Sequence, residues 1–235
     1  SQVYVRNKRI LCEKLGMKFQ LKELKNTVSE ATVAHEIQKL NRDKNIHGVI
    51  LQLPIPKKFD ALRLILSIDP MKDVDGLHPM NLGLLASGKP LFIPATPKGI
   101  LELLDHYKVK LKGKHVVVVG FGQVVGMPLS LLLAQRQATV TITHDATEKL
   151  KDFTNQADIL ITAAGSPGLI KATMVKQGVV VVDAGISKLG TKFVGDVDFD
   201  AVFNKAKYIT PVPGGVGPMT VSALINNVVQ AARNS

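Results

Sequence analysis

The sequence predicts an α/β fold, and three observations in its second half lead to that prediction. Short β-rich runs alternate with helical patterns between residues 115 and 209, which is typical of a parallel sheet. A glycine-rich turn follows the first of these runs, as in dinucleotide-binding domains. A loop rich in proline and glycine, at 211–220, then precedes a closing helical pattern. We therefore expect two α/β lobes, of which the second is Rossmann-like.

The composition is that of an ordinary globular protein with a basic balance. The chain has 235 residues and a formal charge of +11, and its length fits one large or two modest domains. No basic stripe with interleaved aromatic residues is visible, so we expect no nucleic-acid partner. No apolar run is long enough to span a membrane, so we expect no membrane partner either. The charge suits a basic surface, or the attraction of an anionic substrate or cofactor.

Cysteine and histidine usage indicates the cellular compartment and bears on metal binding. The single Cys12 cannot form an internal disulfide, which favours a reducing compartment. Without a signal-peptide pattern, we expect the cytoplasm, with the mitochondrial matrix as the alternative. The six histidines are scattered and form no cluster with ligand spacing, so we predict no metal site.

The first lobe begins with a short polar pattern on a helix. Ser1, Tyr4 and Lys8 have the spacing i, i+3, i+7 and share one helical face. Taken alone, this is more typical of a solvated face with a half-buried tyrosine. A strand is predicted at Lys18–Lys22. Thr27 and Glu30 then form a predicted capping box, which opens a helix with three residues facing inward, namely Val33, Ile37 and Leu40.

The rest of this lobe places polar residues at loops. The apolar run 47–54 ends in proline, which predicts a buried strand with Gln52 near its end. Strand ends are where ligands bind in open α/β sheets. A helix is predicted at 59–68, and a loop at 72–76 carries Asp73 and Asp75. Thr96 and Pro97 suit the N-cap and N1 positions of the next helix.

The second lobe is predicted to hold a parallel sheet and a glycine-rich turn. The turn reads Gly120-x-Gly122-x-x-x-Gly126 and follows four valines, a context that favours dinucleotide binding. A helix is predicted at 124–135. After the loop at 211–220, apolar residues at i, i+3, i+4 and i+7 predict the last helix: Val221, Leu224, Ile225 and Val228. The predicted strands are 115–119, 138–143, 158–162, 179–183 and 207–209.

The whole chain resembles the methylenetetrahydrofolate dehydrogenase/methenyltetrahydrofolate cyclohydrolase family. The stretch TPVPGGVGPMT at 210–220 is similar to the signature of that family. Ala95 stands where many members have cysteine, in a match at 94–99. The glycine-rich turn has the family's own longer spacing. The other matching stretches are Ser-x-x-Tyr-Val-x-x-Lys at 1–8, Gln-Leu-Pro at 52–54, Lys-Asp-Val-Asp-Gly at 72–76, and 162–168, 183–186 and 194–197.

The resemblance implies roles for individual residues around a folate. Tyr4 would pack against the folate ring, Lys8 would move protons, and Gln52 would orient Lys8; these three are the candidate catalytic residues. Asp75 would hydrogen-bond the pterin ring, and a carboxylate can accept two N–H groups together. The candidate substrate-binding residues are Ser1, Tyr4, Asp75, Pro213, Gly214 and Gly215.

The resemblance also implies a nicotinamide cofactor, and two departures from the family pattern bear on which one. Phe121 and Gly122 replace the Arg-Ser of most members, and Asp145 replaces the serine that follows His144. A carboxylate there would repel a 2′-phosphate and suit a ribose 2′-OH, so we predict NAD over NADP. A plain exposed loop aspartate is the alternative reading. The candidate cofactor-binding residues are Gly120, Phe121, Gly122, Gly126, Asp145, Ala164, Gly165, Ile186 and Thr220.

The implied function belongs to one-carbon metabolism. The family oxidises 5,10-methylenetetrahydrofolate with NAD(P) and hydrolyses the product to 10-formyltetrahydrofolate, and its folates can carry polyglutamate tails. A folate-binding domain would span 1–96 with the returning helix 219–235, incomplete at its N-terminal end. The cofactor domain would span 97–218 and mediate a homodimer. Asp196 is expected to order a loop, and Asp183 to cap one. The alternatives are a dehydrogenase for another small substrate and a non-catalytic folate binder.

Overall fold

The computed structural model describes residues 2–235, with side chains from Val5 onward. The chain divides into two compact units. The first contains the residues up to Ala95 together with Val221–Ser235, and the second contains Thr96–Thr220. Each unit has its own apolar core. None of the described helices combines the length and the hydropathy that crossing a membrane requires.

The first unit is built mainly from helices. Helix α2 begins after Ser29, whose Oγ accepts a hydrogen bond from the Thr32 amide at 3.1 Å. The predicted capping box at Thr27 is therefore wrong, because Glu30 is the first helical residue and its carboxylate accepts a hydrogen bond from the Asp60 amide at 2.7 Å. The inward residues of α2 are as predicted. The helices of this part are α1 (Gln2–Lys14), α2 (Glu30–Arg42), α3 (Ala61–Ile65) and α4 (Pro79–Ala86).

Two strands predicted for this unit are wrong. Residues 18–22 have no regular secondary structure, and 47–54 contribute only an isolated parallel bridge, between Val49 and Asp73. A strand needs a neighbour for its backbone N–H and C=O groups, and no described segment forms a ladder with either run. The apolar pattern of the second run reflects burial instead, since Val49 packs in a core cluster with Leu64 and Ile68. Helix α3 is also shorter than predicted.

The last helix, α9 (Val216–Asn234), returns to this unit as predicted. Its apolar residues Leu224 and Ala231 join a cluster that contains Val74 and Phe92. Asn227 is fully buried, and its Nδ2 donates hydrogen bonds to the carbonyls of Val74 and Ile93, both at 2.9 Å. These bonds fix the loop that carries Asp75 to the helix, because leaving a buried amide without hydrogen-bond partners would lower the free energy of unfolding.

The second unit confirms the predicted parallel sheet. Its five strands run in the order β2-β1-β3-β4-β7 with parallel pairing throughout, and a two-stranded antiparallel hairpin, β5-β6, was not predicted. Each strand of the sheet lies within one residue of its predicted bounds. The strands are β1 (His115–Val119), β2 (Thr139–Thr143), β3 (Ile159–Thr162), β4 (Val179–Asp183), β5 (Ser187–Leu189), β6 (Lys192–Val194) and β7 (Ala206–Ile209).

Two helices of the second unit, α6 and α8, pack against this sheet. Helix α5 begins at Ala95, so Thr96 and Pro97 lie inside its first turn rather than at the predicted N-cap and N1 positions. Helix α6 begins at Gly126, two residues later than predicted, because the glycine-rich turn extends to that residue. The helices are α5 (Ala95–His106), α6 (Gly126–Gln135), α7 (Leu150–Thr154) and α8 (Phe199–Phe203).

Candidate active site

The first unit brings Lys8 and Gln52 into contact. Lys8 lies on α1 and is only 8% exposed, which is unusual for a lysine. Its Nζ donates a hydrogen bond to Gln52 Oε1 at 3.1 Å, and Gln52 Nε2 donates to the Leu53 carbonyl at 3.0 Å. The second bond fixes the orientation of the amide, so that its oxygen faces the lysine. A buried amine is therefore held in place by a neutral partner.

Asp75 completes a charged cluster with Lys8. Burial raises the pKa of the Asp75 carboxyl, the positive charge of Lys8 lowers it, and the negative charge of Asp73 raises it further. Asp73 is itself buried, and one of its oxygens accepts hydrogen bonds from the His78 amide and from Asn81 Nδ2, both at 2.8 Å. Asp73 therefore orders the loop through these two hydrogen bonds. Asp75 is the other carboxylate of this loop, and it is the one that the resemblance assigns to the pterin.

The remaining candidates of this unit fall outside what can be described. Ser1 lies outside the described residues, and Tyr4 belongs to α1 but its side chain is among those not described. Their assignment to the folate therefore stays a prediction. Pro213, Gly214 and Gly215 belong to the second unit. There the Gly215 amide donates to the Pro211 carbonyl at 2.9 Å, which closes a tight turn, and Gly214 has a φ of +108° that favours glycine.

The glycine-rich turn of the second unit forms a close-packed cradle. Gly120 has a φ of +102°, and a Cβ atom there would lie 2.5 Å from the Ala163 carbonyl oxygen. A Cβ atom at Gly126 would collide with the Gly120 carbonyl oxygen. Helix α6 begins at Gly126 with no side-chain cap, although the Met127 amide donates to the Gly122 carbonyl at 3.1 Å within the turn. Such a helix start suits the pyrophosphate of a dinucleotide. Phe121, at the turn, is 49% exposed.

The loop after β2 holds Asp145 beside this turn. The Gly120 amide donates to the Thr143 carbonyl at 2.8 Å, which joins the two loops at the carboxyl ends of β1 and β2. The Asp145 side chain is fully exposed, and its Oδ1 accepts a hydrogen bond from the Ala146 amide at 3.1 Å. It lies 3.9 Å from His144 Nδ1. A free carboxylate thus stands next to the cradle.

The loop after β3 is held by a buried carboxylate. Asp196 is fully buried, and its two oxygens accept hydrogen bonds from the amides of Ala164, Gly165 and Ser166 at 2.6, 3.2 and 2.8 Å. Burial raises the pKa of Asp196, and these three bonds oppose that shift. The expected loop-ordering role of Asp196 thus has a physical basis in these contacts.

A second buried carboxylate supports the first. Asp183, at the end of β4, accepts hydrogen bonds from the amides of Gly185, Asp196 and Val197 at 2.9, 3.1 and 2.9 Å. Thr162 Oγ1 donates to it at 3.0 Å. Asp183 therefore ties the ends of β3 and β4 to the segment that carries Asp196.

The two remaining cofactor candidates, Ile186 and Thr220, also lie in the second unit. Ile186 is 38% exposed. The Thr220 hydroxyl donates hydrogen bonds to Thr96 Oγ1 and to the Val216 carbonyl, both at 3.1 Å.

The described residues contain no group of three or more His, Cys, Asp or Glu side chains placed to hold a metal ion. The two carboxylates at Asp183 and Asp196 accept seven hydrogen bonds between them from backbone amides and a threonine. Their oxygens are therefore occupied by N–H and O–H donors, and they act as structural anchors for the loops.

Comparison with known families accounts for both units. Residues 1–75 match the catalytic domain of the tetrahydrofolate dehydrogenase/cyclohydrolase family, and residues 94–235 match its NAD(P)-binding domain. The chain belongs to the tetrahydrofolate dehydrogenase/cyclohydrolase family. The sequence-based recognition of that family is thereby confirmed. The α/β fold class, with its parallel sheet and returning helix, is confirmed as well.

Individual members of the family are similar to this protein over almost the whole of its chain. The bifunctional protein FolD of Aquifex aeolicus is 53% identical over 232 residues, which cover 98% of this chain and 80% of that protein. The crystal structure of the FolD dehydrogenase/cyclohydrolase from Campylobacter jejuni has a TM-score of 0.95 and 43% identity, and the match covers 99% and 83% of the two chains. The Trypanosoma brucei enzyme, solved with NADP and an inhibitor, has a TM-score of 0.95 and 38% identity over 99% and 82%.

The sequence analysis did not identify several buried polar residues that hold the loops of the candidate site in place. It treated Asp73 only as one of two loop acids, did not consider Asn81, and named Thr162 only as part of the matching stretch 162–168. The signal available was a polar residue within or beside an apolar run, as at Thr162, because a polar group buried there must find a partner. The same reasoning was too cautious about Asp183, which joins several segments rather than capping one loop.

Replacing Asp196 by asparagine is expected to destabilise the protein and to raise KM for the dinucleotide. Asparagine has nearly the same shape, but its amide group faces N–H donors, and each buried donor left unpaired costs about 1–3 kcal/mol. Urea unfolding and the KM for NAD(P) would measure both effects. Asp198→Asn is the control, because Asp198 has an exposed ion pair with Lys171, worth about 1 kcal/mol or less. Equal stability of both variants with the unchanged protein would contradict the anchoring role.

Proposed function

We propose that this chain oxidises 5,10-methylenetetrahydrofolate with NAD(P) and hydrolyses the resulting 5,10-methenyl compound to 10-formyltetrahydrofolate. The observation that carries the proposal is the buried contact between Lys8 and Gln52 in a unit of the matching catalytic-domain family. This contact supports a proton-transfer role for Lys8 within the residues that match the catalytic domain. A dinucleotide cradle in the second unit supplies the other requirement.

The residues of the second unit fit a nicotinamide dinucleotide. Gly120 and Gly126 keep the backbone free of Cβ atoms where the chain passes closest to itself, and α6 begins there without a side-chain cap. The loop at 164–166, ordered by Asp196, would hold the nicotinamide end. When bound, the cofactor accepts the hydride that leaves the one-carbon unit of the folate.

The oxidation step does not require a general acid or a general base from the protein. Loss of hydride from the methylene bridge leaves a methenyl cation that its two flanking nitrogens stabilise. The chain therefore contributes alignment of donor and acceptor carbons, which is a matter of binding geometry. We propose that Asp75 holds the pterin, with Tyr4, Ser1 and the Pro213–Gly215 turn as further contacts of the folate.

The hydrolysis requires proton transfer, and we propose Lys8 for this role. Water adds to the bridging carbon, one C–N bond breaks, and the net release is one proton. Lys8 Nζ would take the proton from the attacking water and return one to the departing nitrogen, while Gln52 Oε1 holds the amine at 3.1 Å. Burial of Lys8 keeps bulk water from competing for that hydrogen bond.

A direct assay tests this function against its alternatives. Purified protein is mixed with 5,10-methylenetetrahydrofolate and NAD or NADP, and reduced cofactor and 10-formyltetrahydrofolate are followed separately. We expect both products. Reduction of cofactor only with another small substrate would favour a different dehydrogenase. Tight folate binding without either product would favour a non-catalytic binder.

We further infer a preference for NAD over NADP. The exposed Asp145 carboxylate stands beside the glycine-rich turn, where it can accept hydrogen bonds from a ribose 2′-OH and would repel a 2′-phosphate. Phe121 offers no positive charge to such a phosphate. The Trypanosoma brucei relative was solved with NADP, so the preference of this chain has to be measured directly.

The double variant Asp145→Ser/Phe121→Arg is expected to shift the ratio of kcat/KM for NADP over NAD by about 10- to 100-fold. This follows because a charge-assisted hydrogen bond is worth about 1.5–3 kcal/mol and a tenfold change about 1.4 kcal/mol. Steady-state kinetics with each cofactor measure the ratio. Asp152→Ser, an exposed aspartate of α7, is the control and should leave the ratio unchanged. A preference of the unaltered protein for NADP would overturn the inference.

A homodimer through the second unit is also part of the proposal. Strand β2 is an edge of the sheet, and its Ile142 is 39% exposed. An open sheet edge with an exposed apolar residue is suited to pairing with another chain. Light scattering after gel filtration would give the mass, and Ile142→Lys should lower it to that of one chain if this edge forms the contact.

A further inference from the structure

A basic pocket lies at the end of the sheet opposite the dinucleotide cradle. It has a volume of about 380 Å³ and is lined by five lysines, which define what we call the lysine pocket: Lys108, Lys110, Lys114, Lys176 and Lys207. A cavity of this size is within the range of small-molecule sites. No step of the proposed folate chemistry uses these residues.

The position of the lysine pocket separates it from the cofactor loops. Lys114 directly precedes β1, Lys176 and Gly178 precede β4, and Lys207 is near the start of β7. These are the amino ends of parallel strands. The cradle and the loops at 144–147 and 164–166 follow the carboxyl ends of β1, β2 and β3. A ligand in the lysine pocket would therefore not occupy the dinucleotide site.

The positive charge of the pocket is largely uncompensated. Asp158 is the one carboxylate in its lining, and it pairs with Lys176 at 2.7 Å and accepts the His115 amide at 3.0 Å. The hydrogen bond from Lys176 is the largest of the effects that lower the pKa of Asp158. The charge of Lys114 also lowers that pKa. Within the described part of the chain, Lys108, Lys110 and Lys207 have no carboxylate within ion-pair distance. Like charges brought together from separate segments repel each other unless an anion binds between them.

Aromatic residues lie beside these charges. The sequence has only three tyrosines, and two of them, Tyr107 and Tyr208, line the lysine pocket with ring centroids 5.4 Å apart. They are 55% and 40% exposed. Lys207 Nζ lies 5.6 Å from the centre of the Tyr208 ring, a cation–π distance. Tyr107 also packs edge-on against His106, with ring centroids 5.1 Å apart, and it is the more exposed of the two tyrosines beside the lysines.

We propose that the lysine pocket binds a nucleoside di- or triphosphate. Multiple phosphates match the uncompensated lysines, since each can form charge-assisted hydrogen bonds with an ammonium group. A base can stack on Tyr107, as bases do on exposed aromatic side chains. The pocket is open to solvent, and its volume suits one nucleotide rather than a polynucleotide, whose binding requires an extended basic groove.

Equilibrium dialysis with labelled ATP tests the site. The full chain is saturated with a mixture of NAD and NADP, so that only binding outside the dinucleotide site is counted. We expect about one further equivalent of ATP. The variant Lys110→Gln/Lys207→Gln should raise the Kd for ATP at least tenfold, because two charge-assisted bonds of about 1.5–3 kcal/mol each are lost. Lys188→Gln/Lys192→Gln, on the hairpin, is the control for net charge and should leave the Kd unchanged.

Three further measurements complete the test. Tyr107→Ala should abolish the preference for ATP over inorganic tripolyphosphate, and equal binding of the two by the unaltered protein would contradict the base-stacking role. Failure of the unaltered protein to bind ATP, or equal loss in the control variant, would overturn the site. Binding of single-stranded RNA in place of ATP would instead make the pocket part of a nucleic-acid surface. Unchanged dehydrogenase activity of the variants would establish that they fold.

Discussion

Replacing Lys8 by alanine is expected to lower the rate of methenyltetrahydrofolate hydrolysis by about 10²- to 10⁴-fold, the usual contribution of a positioned proton-transfer group. The expectation rests on the 3.1 Å hydrogen bond that holds the buried Lys8 amine against Gln52. The oxidation step leaves a cation that the folate itself stabilises and has no such requirement. Reduction of the cofactor should therefore fall much less than hydrolysis does.

The measurement needs both activities from the same preparation. Hydrolysis is followed by supplying the methenyl compound directly, and oxidation by the appearance of reduced cofactor. Lys8→Met keeps most of the side-chain volume and separates loss of the amine from a packing defect. Lys14→Ala, at the exposed end of the same helix, should leave both rates unchanged. Retained hydrolysis in Lys8→Met would remove Lys8 from the proton-transfer role.

The parallel sheet could be predicted from the sequence because its signal is local. Strands such as β1 and β4 are unbroken valine runs, buried on both faces, and each is bounded by a turn or helix. The run at 47–54 has a similar pattern, but an apolar run records burial and not a hydrogen-bonded partner. No described neighbour forms a ladder with it, so the same pattern here produces a half-buried segment without regular secondary structure, in which Val49 alone is buried.

The candidate site likewise contains features that local sequence predicts and contacts that it does not predict. The glycine-rich turn could be read directly, since steric demands at Gly120 and Gly126 select glycine. The contact between Lys8 and Gln52 joins residues 44 apart in sequence, and only the family resemblance suggested it. The anchoring by Asp196 depends on three amides of a distant loop. A charge at one position contains no information about which backbone groups will surround it.

Replacing Gly126 by alanine is expected to weaken dinucleotide binding. The added methyl group would collide with the Gly120 carbonyl oxygen and approach Phe121 Cα to 3.1 Å. Both are backbone atoms, which cannot rotate away as a side chain can, so the turn or the start of α6 must shift. Overpacking of this kind costs about 1–3 kcal/mol in stability, and the displaced turn would no longer offer the same backbone surface to a pyrophosphate. We expect KM for the dinucleotide to rise at least tenfold, since about 1.4 kcal/mol of lost binding is sufficient.

Gly83→Ala, in α4 of the first unit, supplies the control. A Cβ atom at Gly83 would meet no atom within 4 Å, so the same chemical change should leave KM for the dinucleotide nearly unaltered. Hydrolysis of added methenyltetrahydrofolate reports on Lys8 in the first unit and should survive in both variants if the chain remains folded. Equal KM values for Gly126→Ala and Gly83→Ala would mean that the close backbone approach at Gly126 does not shape the cofactor site. A selective loss in Gly126→Ala would instead connect that steric contact directly to the dehydrogenase reaction.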